Sequence, residues 1–267
     1  MRHFPRRARA LTALVTLAVA IGVGLAAGLL GGAAASGFLH RDSASGIPSD
    51  RRLAAAAAAL EATTKQHTPS TLAAQARART IALYRHPGGA SYRRLGPLED
   101  SSGTHPVFRV LAQRVGWLHV SLPIRPNHSS AWIRTSDATV ATTRYRIQVK
   151  ERTHRLVLWR GRTRLLRAPI AVGKAVTPTP RGIYFLAFAL HNTDPSGFYG
   201  PYSFGLSAYS NVFTTFAGGD GEIGLHGTSE PSLLGHSVSH GCVRVSNAVI
   251  TRLAHLLPLG TPVSIER

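Results

Sequence analysis

Beyond residue 77 the sequence is built from short apolar or alternating segments, and this pattern restricts the chain to a mainly β fold. Segments such as Trp117–Ser121 and Tyr145–Val149 alternate apolar with polar side chains, as half-buried strands do. Glycine and proline separate the segments at short intervals, which is typical of strands joined by tight turns. Helical spacing occurs near the end of the chain, where Ser246 precedes the segment Asn247–Leu257 and Pro258 follows it. We therefore expect a β-rich protein with a short C-terminal helix.

The same pattern divides the chain into regions of different character. Residues 77–142 predict a small β module, and residues 143–267 predict a second β unit that contains the helix. Residues 36–76 are rich in alanine, serine and threonine and lack an apolar face to bury, so we expect a linker with a short helix at Ala54–Ala59. Residues 191–221 are rich in glycine, tyrosine and serine and are predicted to form one long functional loop.

The first 35 residues predict export from the cytoplasm. Residues 1–9 carry four arginines and are expected to form a cytoplasmic basic tail, whereas residues 10–35 contain no charged side chain. The uncharged run is long enough for a transmembrane helix of about 20 residues, but Ala33–Ala35 also suits the cleavage site of a signal peptide. In both cases the arginines stay inside the cell. We expect the remainder in the cell envelope, either anchored to the cytoplasmic membrane or secreted after cleavage.

The chain is strongly basic. It has 31 lysines and arginines against 12 aspartates and glutamates, a net charge of +19. Such a balance favours a polyanionic partner. Export argues against nucleic acid and leaves the anionic polymers of the cell wall as candidate partners. Solvated arginine on a high-arginine background explains the charge equally well, so both interpretations stay open.

The segment that carries chemistry surrounds the single cysteine of the chain. Cys242 has no second cysteine with which to form an intrachain disulfide. It lies in the sequence Ser-His-Gly-Cys-Val-Arg, residues 239–244, 16 positions after His226. Because the thiolate is the attacking form, a nucleophilic cysteine needs a nearby base such as histidine. A buried structural cysteine and a zinc ligand are the alternatives, but zinc is disfavoured by the absence of a second thiol.

Residues 144–266 resemble the catalytic domain of the L,D-transpeptidases of the YkuD type. The resemblance rests on Val172–Lys174, Thr177–Gly182, Leu225–Thr228 and Ser239–Arg244. It implies a β-sandwich catalytic domain and a peptidoglycan L,D-transpeptidase activity that uses neither cofactor nor metal. The preceding module, residues 77–142, resembles a bacterial SH3-like β-barrel. By the same resemblance, the expected partners are peptidoglycan stem peptides, with carbapenem β-lactams as covalent inhibitors.

The resemblance also assigns catalytic roles. Cys242 would be the nucleophile and His226 the general base, with the backbone carbonyl of Gly227 orienting the imidazole. The backbone N–H groups of Gly241 and Cys242, together with His240, would form the oxyanion hole that stabilises the tetrahedral intermediate.

A second set of residues is predicted to contact the substrate. Ser239 and Arg244 flank the cysteine, and Arg244 either binds a substrate carboxylate or braces the loop. Tyr202 is the third candidate. It is one of three tyrosines in the long loop, with Tyr199 and Tyr209, for which an oxyanion contact, stacking on substrate and ordinary loop packing all remain open.

The expected reaction is transfer of an acyl group between stem peptides. The cysteine would form a thioester with one stem peptide, release a D-amino acid and pass the acyl group to an acceptor amine. With water as acceptor the same acyl-enzyme would be an L,D-carboxypeptidase, and a non-catalytic wall-binding protein is the alternative from another class. The sequence leaves open the acceptor, the diamino acid at stem position three, cleavage of the N-terminal segment, the oligomeric state and the ligand of the SH3-like module.

Overall fold

The structure, a computed structural model, describes residues 70–98, 103–215 and 219–267. These residues are mainly β with a short C-terminal helix, so the predicted fold class is confirmed. Within the described ranges, no helix is long and apolar enough to cross a membrane. The predicted basic tail, the anchor or signal segment and the short alanine helix all lie outside the described residues.

Residues 71–143 form a seven-stranded antiparallel sheet with its own apolar core. Its strands are β1 (Thr71–Ala76), β2 (Ile81–Tyr84), β3 (Ser91–Leu95), β4 (Val107–Arg114), β5 (Trp117–Ser121), β6 (Ser130–Arg134) and β7 (Ala138–Thr143). The order across the sheet is β3-β2-β6-β5-β4-β1-β7. Strand β1 lies in the segment predicted to be linker and pairs with both β4 and β7, so that prediction is wrong for residues 71–76. The SH3-like character of this sheet stays a prediction.

Residues 145–266 form the second sheet and carry the motifs. Its strands are β8 (Tyr145–Lys150), β9 (Arg155–Arg160), β10 (Thr163–Pro169), β11 (Val172–Gly173), β12 (Gly182–His191), β13 (Tyr202–Tyr209), β14 (Glu222–His226), β15 (Ser237–Ser239), β16 (Val243–Arg244) and β17 (Pro262–Glu266). Eight of them pair in the order β10-β9-β8-β17-β12-β13-β14-β16, and β11 pairs in parallel with β15. The parallel pairing of β14 with β16 places His226 opposite Arg244. The topology thereby brings the histidine motif and the cysteine motif together.

Strand β13 differs most from the predicted organisation. It lies inside the stretch 191–221, which we expected to be one long loop, and it pairs with β12 and β14. Its sequence contains glycine and serine, which weaken a strand pattern. Gly205 has a packing reason, because a methyl group there would lie 2.2 Å from the ring of Phe188 on β12. The glycine that weakens the strand pattern of β13 is thus required because β13 approaches β12 closely at this point.

Strand β12 is buried on both faces from Tyr184 to Phe188. Tyr184 packs in the main core of the second sheet, whereas Phe185 and Phe188 form a smaller cluster on the opposite face. Leu98, from the N-terminal part of the chain, packs against that smaller cluster. A strand covered on both faces has a continuous apolar sequence instead of an alternating one, which explains the run from Tyr184 to Phe188.

The helix, α1 (Asn247–Leu256), begins and ends close to its predicted bounds. Ser246 is its N-cap, and the side chain of Ser246 accepts a hydrogen bond from the backbone N–H of Val249 at 3.4 Å. Ile250 and Leu253 are buried in the core of the second sheet, where the helix packs against β13 and β14. The helix therefore supports the strand that ends in His226.

Replacing Ser246 with alanine is expected to lower the free energy of unfolding by about 1 kcal/mol, because the first turn of the helix loses its capping acceptor. Ser246→Asp restores an acceptor and is expected to stay close to the parent. Chemical denaturation followed by circular dichroism measures both variants. An alanine variant as stable as the aspartate variant would show that the cap contributes nothing.

Candidate active site

Cys242 and His226 line one open cleft of about 650 Å³. His226 is the last residue of β14, and Cys242 lies between β15 and β16. The cleft wall comes from β12, β13, β14 and the segments next to them, with these residues: Leu98, Phe188, Leu190, Asn192, Tyr199, Ser203, Phe204, Gly205, Tyr209, Gly219, Asp220, Glu222, Ile223, Gly224, His226 and Cys242. The two residues predicted to form the catalytic pair therefore share one solvent-accessible space.

The imidazole of His226 is held in one tautomer. Its Nδ1 lies 2.7 Å from the carbonyl oxygen of Gly227. Because a carbonyl only accepts hydrogen bonds, Nδ1 carries the proton and Nε2 is left with a free lone pair. His226 is 1% exposed, and in the described part of the chain its Nε2 has no hydrogen-bond partner. The ring is thus prepared to accept a proton at Nε2.

Burial keeps His226 neutral. Removal from water lowers the pKa of His226 to about 4, and the positive charge of Arg244 contributes further in the same direction. The hydrogen bond to Gly227 opposes this shift but is the smaller effect. At neutral pH the imidazole is therefore an uncharged base.

The thiol of Cys242 is also uncharged at rest. Burial raises the pKa of Cys242, and the carboxylate of Glu222 adds to this effect, while the Gly224 N–H and Arg244 act against it. The Gly224 N–H donates to Sγ at 3.3 Å. A methyl group at Gly224 would lie 3.4 Å from Cδ2 of His226 and 3.7 Å from Sγ, so both side chains reach the space above this glycine. The pair rests as thiol and imidazole, not as thiolate and imidazolium.

Asn247 fixes the turn that follows His226, and our sequence analysis missed it. Its Oδ1 accepts from the backbone N–H of Thr228 at 2.8 Å. A methyl group on Gly227 or on Gly200 would lie 2.3 Å from that oxygen, so two glycines make room for one amide. The only signal in the sequence is a polar residue directly after the helix cap, which does not by itself indicate a contact with the histidine motif.

The loop that presents the cysteine, residues 239–244, is closed by Ser239. The Ser239 hydroxyl donates to the Cys242 carbonyl at 2.6 Å and accepts from the Gly241 N–H at 3.1 Å. Two predictions are corrected by these contacts. Ser239 is 1% exposed and braces the loop, so it does not contact substrate. The Gly241 N–H is already engaged and is not free to bind an oxyanion. Gly241 itself is required for shape, since its φ is +127° and a methyl group there would lie 2.9 Å from Ile223.

The remaining segments of the resemblance, within residues 172–182, contact the loop that presents the cysteine. The backbone N–H of Lys174 and the hydroxyl of Thr177 both donate to the Ser239 carbonyl, each at 3.1 Å. Thr179 accepts from the Gly173 N–H at 2.9 Å and holds the segment in shape. This segment therefore helps to position the loop that presents Cys242.

Arg244 braces the site and does not line the cleft. It is 5% exposed and donates to a carboxylate oxygen of Glu230 at 3.1 Å. Its guanidinium carbon lies 4.3 Å from the ring centre of Phe198, whose ring is 5.8 Å from that of His226. Of the two interpretations left open, these contacts favour bracing over binding of a substrate carboxylate.

The tyrosine beside the catalytic pair is Tyr199 and not Tyr202. The Tyr202 ring stacks on His191 at 4.9 Å and packs edge-on against His255 at 5.7 Å, outside the cleft lining. Tyr199 lies with its ring centre 4.8 Å from that of His226 and faces the cleft. These contacts give no support to the predicted substrate contact of Tyr202, which stays a prediction.

His240 is exposed, with its ring centre 6.2 Å from that of Phe213. It does not contribute to the cleft lining, so its predicted oxyanion role has no support from this arrangement. Within residues 70–98, 103–215 and 219–267, no group of three or more histidine, cysteine, aspartate or glutamate side chains is placed to hold a metal ion.

A thiol and a neutral imidazole in one cleft are the groups that acyl transfer through a cysteine requires. Residues 144–265 match the family model of the YkuD L,D-transpeptidase catalytic domain. Proteins provisionally named L,D-transpeptidase YkuD are similar to this chain. The protein from Bacillus licheniformis is 39% identical, and the match covers 45% of this chain and 65% of that protein. The protein from Bacillus subtilis is 37% identical, and the match covers 37% of this chain and 52% of that protein.

Among solved structures, that of Bd1075 from Bdellovibrio bacteriovorus is 32% identical, with a TM-score of 0.36 over 46% of this chain and 47% of that chain. The present chain spans less than two thirds of the length of the curated relatives. The family match covers the unit of the chain that holds both His226 and Cys242.

The buried, neutral state of His226 can be measured directly. In the folded protein we expect its imidazole to take up a proton only near pH 4, whereas an unfolded histidine does so near pH 6.5. Between these values the unfolded state binds more protons, so this residue makes stability fall as pH is lowered from about 6.5 to about 4. Histidine NMR titration, with His226→Gln to assign the signal, measures the midpoint. Protonation of His226 close to pH 6.5 would contradict the desolvated environment.

Proposed function

We propose that this protein is a peptidoglycan L,D-transpeptidase that uses Cys242 as nucleophile and acts in the cell envelope. One observation carries the proposal: the Cys242 thiol and the unpartnered Nε2 of His226 lie in the same cleft. The uncharged run at residues 10–35 and the net charge of +19 support a location next to the anionic wall, either anchored or secreted.

In the first half-reaction His226 accepts the thiol proton at Nε2 and Sγ attacks the carbonyl carbon of the third residue of the donor stem. The carbon–nitrogen bond to the terminal D-amino acid then breaks, and the nitrogen leaves with the proton returned by His226. A thioester on Cys242 remains. Since both partners start uncharged, proton transfer is coupled to substrate binding, which also excludes water from the pair.

The oxyanion that forms in this step needs backbone donors. With the Gly241 N–H engaged by Ser239, the N–H of Cys242 is the donor that remains from the predicted set. Removal of one such donor in comparable acyl-transfer sites costs about 2.7–4 kcal/mol. The Gly224 N–H, 3.3 Å from Sγ, stabilises the thiolate before attack.

In the second half-reaction an acceptor amine attacks the thioester carbon, loses a proton to His226, and the carbon–sulfur bond breaks to restore the thiol. The cleft favours this acceptor. Its charged lining consists of Asp220 and Glu222, with no lysine or arginine from the described residues, although the chain as a whole is strongly basic. Carboxylates attract an ammonium group and not neutral water. This contrast supports transpeptidation over the carboxypeptidase alternative.

The test of the proposal is covalent labelling and product analysis. With the parent protein we expect a stoichiometric carbapenem adduct on Cys242 by mass spectrometry, and a cross-linked product from a tetrapeptide stem and an acceptor amine. Cys242→Ser is expected to keep the fold but lose at least about a thousandfold of the turnover, because a hydroxyl is far less ionisable than a thiol. An unlabelled parent protein, or a serine variant with near-parental turnover, would reject the assignment.

The two carboxylates in the cleft lining lead to a separate prediction about the acceptor. Glu222→Gln removes one carboxylate charge at nearly constant shape, so the thioester should partition less toward the amine and more toward water, by about threefold to tenfold at low salt. Chromatography of cross-linked and hydrolysed products from one reaction gives the ratio. Glu266→Gln, at an exposed carboxylate near the C-terminus, is the matched control. An unchanged ratio would remove the electrostatic argument for an amine acceptor.

A further inference from the structure

One loop of the N-terminal sheet reaches into the catalytic domain. This anchor loop, residues 122–129, joins β5 to β6 and carries Arg125. The guanidinium of Arg125 donates to three backbone carbonyls: Ser210 at 2.9 Å, Phe213 at 2.7 Å and Asp220 at 2.8 Å. A planar fork of five N–H donors suits several acceptors at once. A single side chain thereby ties together both ends of the connection between β13 and β14.

Asn127 continues the anchor at the end of β13. Its Nδ2 donates to the Tyr209 carbonyl at 2.8 Å, and its Oδ1 accepts from the Tyr209 N–H at 2.8 Å. A side-chain amide therefore pairs with both backbone groups of Tyr209, as a neighbouring strand would. The Tyr209 hydroxyl donates back to the Pro123 carbonyl at 2.8 Å, and Arg125 lies over the tyrosine ring at 5.1 Å.

The segment that is held in this way borders the cleft. We call residues 209–215 and 219–222 the wall segment, and Tyr209, Asp220 and Glu222 within it line the cleft beside Cys242. Its backbone is built around the anchor. Gly221 has a φ of +76°, and a methyl group there would lie 2.2 Å from the Phe213 carbonyl oxygen and 2.8 Å from the Arg125 guanidinium. The three carbonyls that accept hydrogen bonds from Arg125 therefore belong to the segment that supplies Asp220 and Glu222 to the cleft.

We propose that Arg125 and Asn127 are positioning residues for the active site, because the N-terminal sheet uses them to hold the wall segment at the acceptor side of the Cys242 cleft. This inference rests on the proposed function for its kinetic consequence. The N-terminal sheet is then a working part of the catalytic site and not only a spacer or a wall-binding module. Neither residue touches the reacting atoms, so the chemistry of Cys242 and His226 stays intact when the anchor is lost.

The proposal predicts a split between kinetic constants. In full-length protein, Arg125→Ala should raise the KM for the acceptor amine about tenfold, since small displacements of a positioning group have effects of this order or larger. The rate of carbapenem acylation, which needs only the thiol and its base, should stay close to that of the parent. Arg125→Lys keeps the charge but loses the fork, and we expect it to resemble the alanine variant. Arg134→Ala, at an exposed arginine on β6 of the same sheet, is the control.

A second readout does not depend on activity. Hydrogen–deuterium exchange should speed up in the wall segment of Arg125→Ala and of Asn127→Asp, above all at the Tyr209 amide, while α1 exchanges as in the parent. If the parent forms neither adduct nor product, the proposed function fails, and the exchange data still decide whether the anchor positions the wall. Parental KM values together with parental exchange would overturn the inference. Equal losses of acylation and peptide turnover, with faster exchange throughout the molecule, would overturn it as well by showing a purely structural role.

Discussion

The hydrogen bond between His226 Nδ1 and the Gly227 carbonyl is the contact on which the rest of the site depends. It decides which ring nitrogen carries the proton, and it depends on the shape of the turn after β14. Asn247 at the start of α1 supports that turn, because it fills the space left by two glycines and accepts from the Thr228 N–H. The position of the helix is therefore linked to the tautomer of one imidazole through a single side-chain amide.

Desolvation then determines how the pair behaves. Burial acts in opposite directions on an acid and on a base, because it disfavours the charged form of each: it raises the pKa of Cys242 and lowers the pKa of His226. Arg244 lowers both values and so cannot by itself create an ion pair. Its own charge is balanced by Glu230 and covered by Phe198. Burial thus favours the protonated thiol and the neutral imidazole together.

The parts that could be predicted from sequence are those whose signal is local. The helix and its N-cap depend on neighbouring residues, and the structure has them close to the predicted bounds. Strands β1 and β13 were missed because alanine, serine and glycine interrupt their apolar pattern, and at Gly205 the small residue is required by close packing against Phe188. The contacts of Ser239 and Gly241 could not be predicted because the direction of a hydroxyl or an N–H depends on how the whole loop folds. No local pattern indicates that Arg125 binds carbonyls 85 or more residues away.

The distribution of charge links these observations. A chain with a net charge of +19 has two carboxylates, and no lysine or arginine of the described residues, in the lining of the cleft that holds Cys242. Arg125, which holds the wall segment next to this lining, donates to three backbone carbonyls. Under the proposed function, the cationic surface suits a polyanionic polymer and the acidic lining suits a cationic group carried by that polymer. An arginine free to enter the cleft would compete with an ammonium ion for the same carboxylates. The binding of Arg125 to backbone carbonyls is therefore consistent with an amine acceptor.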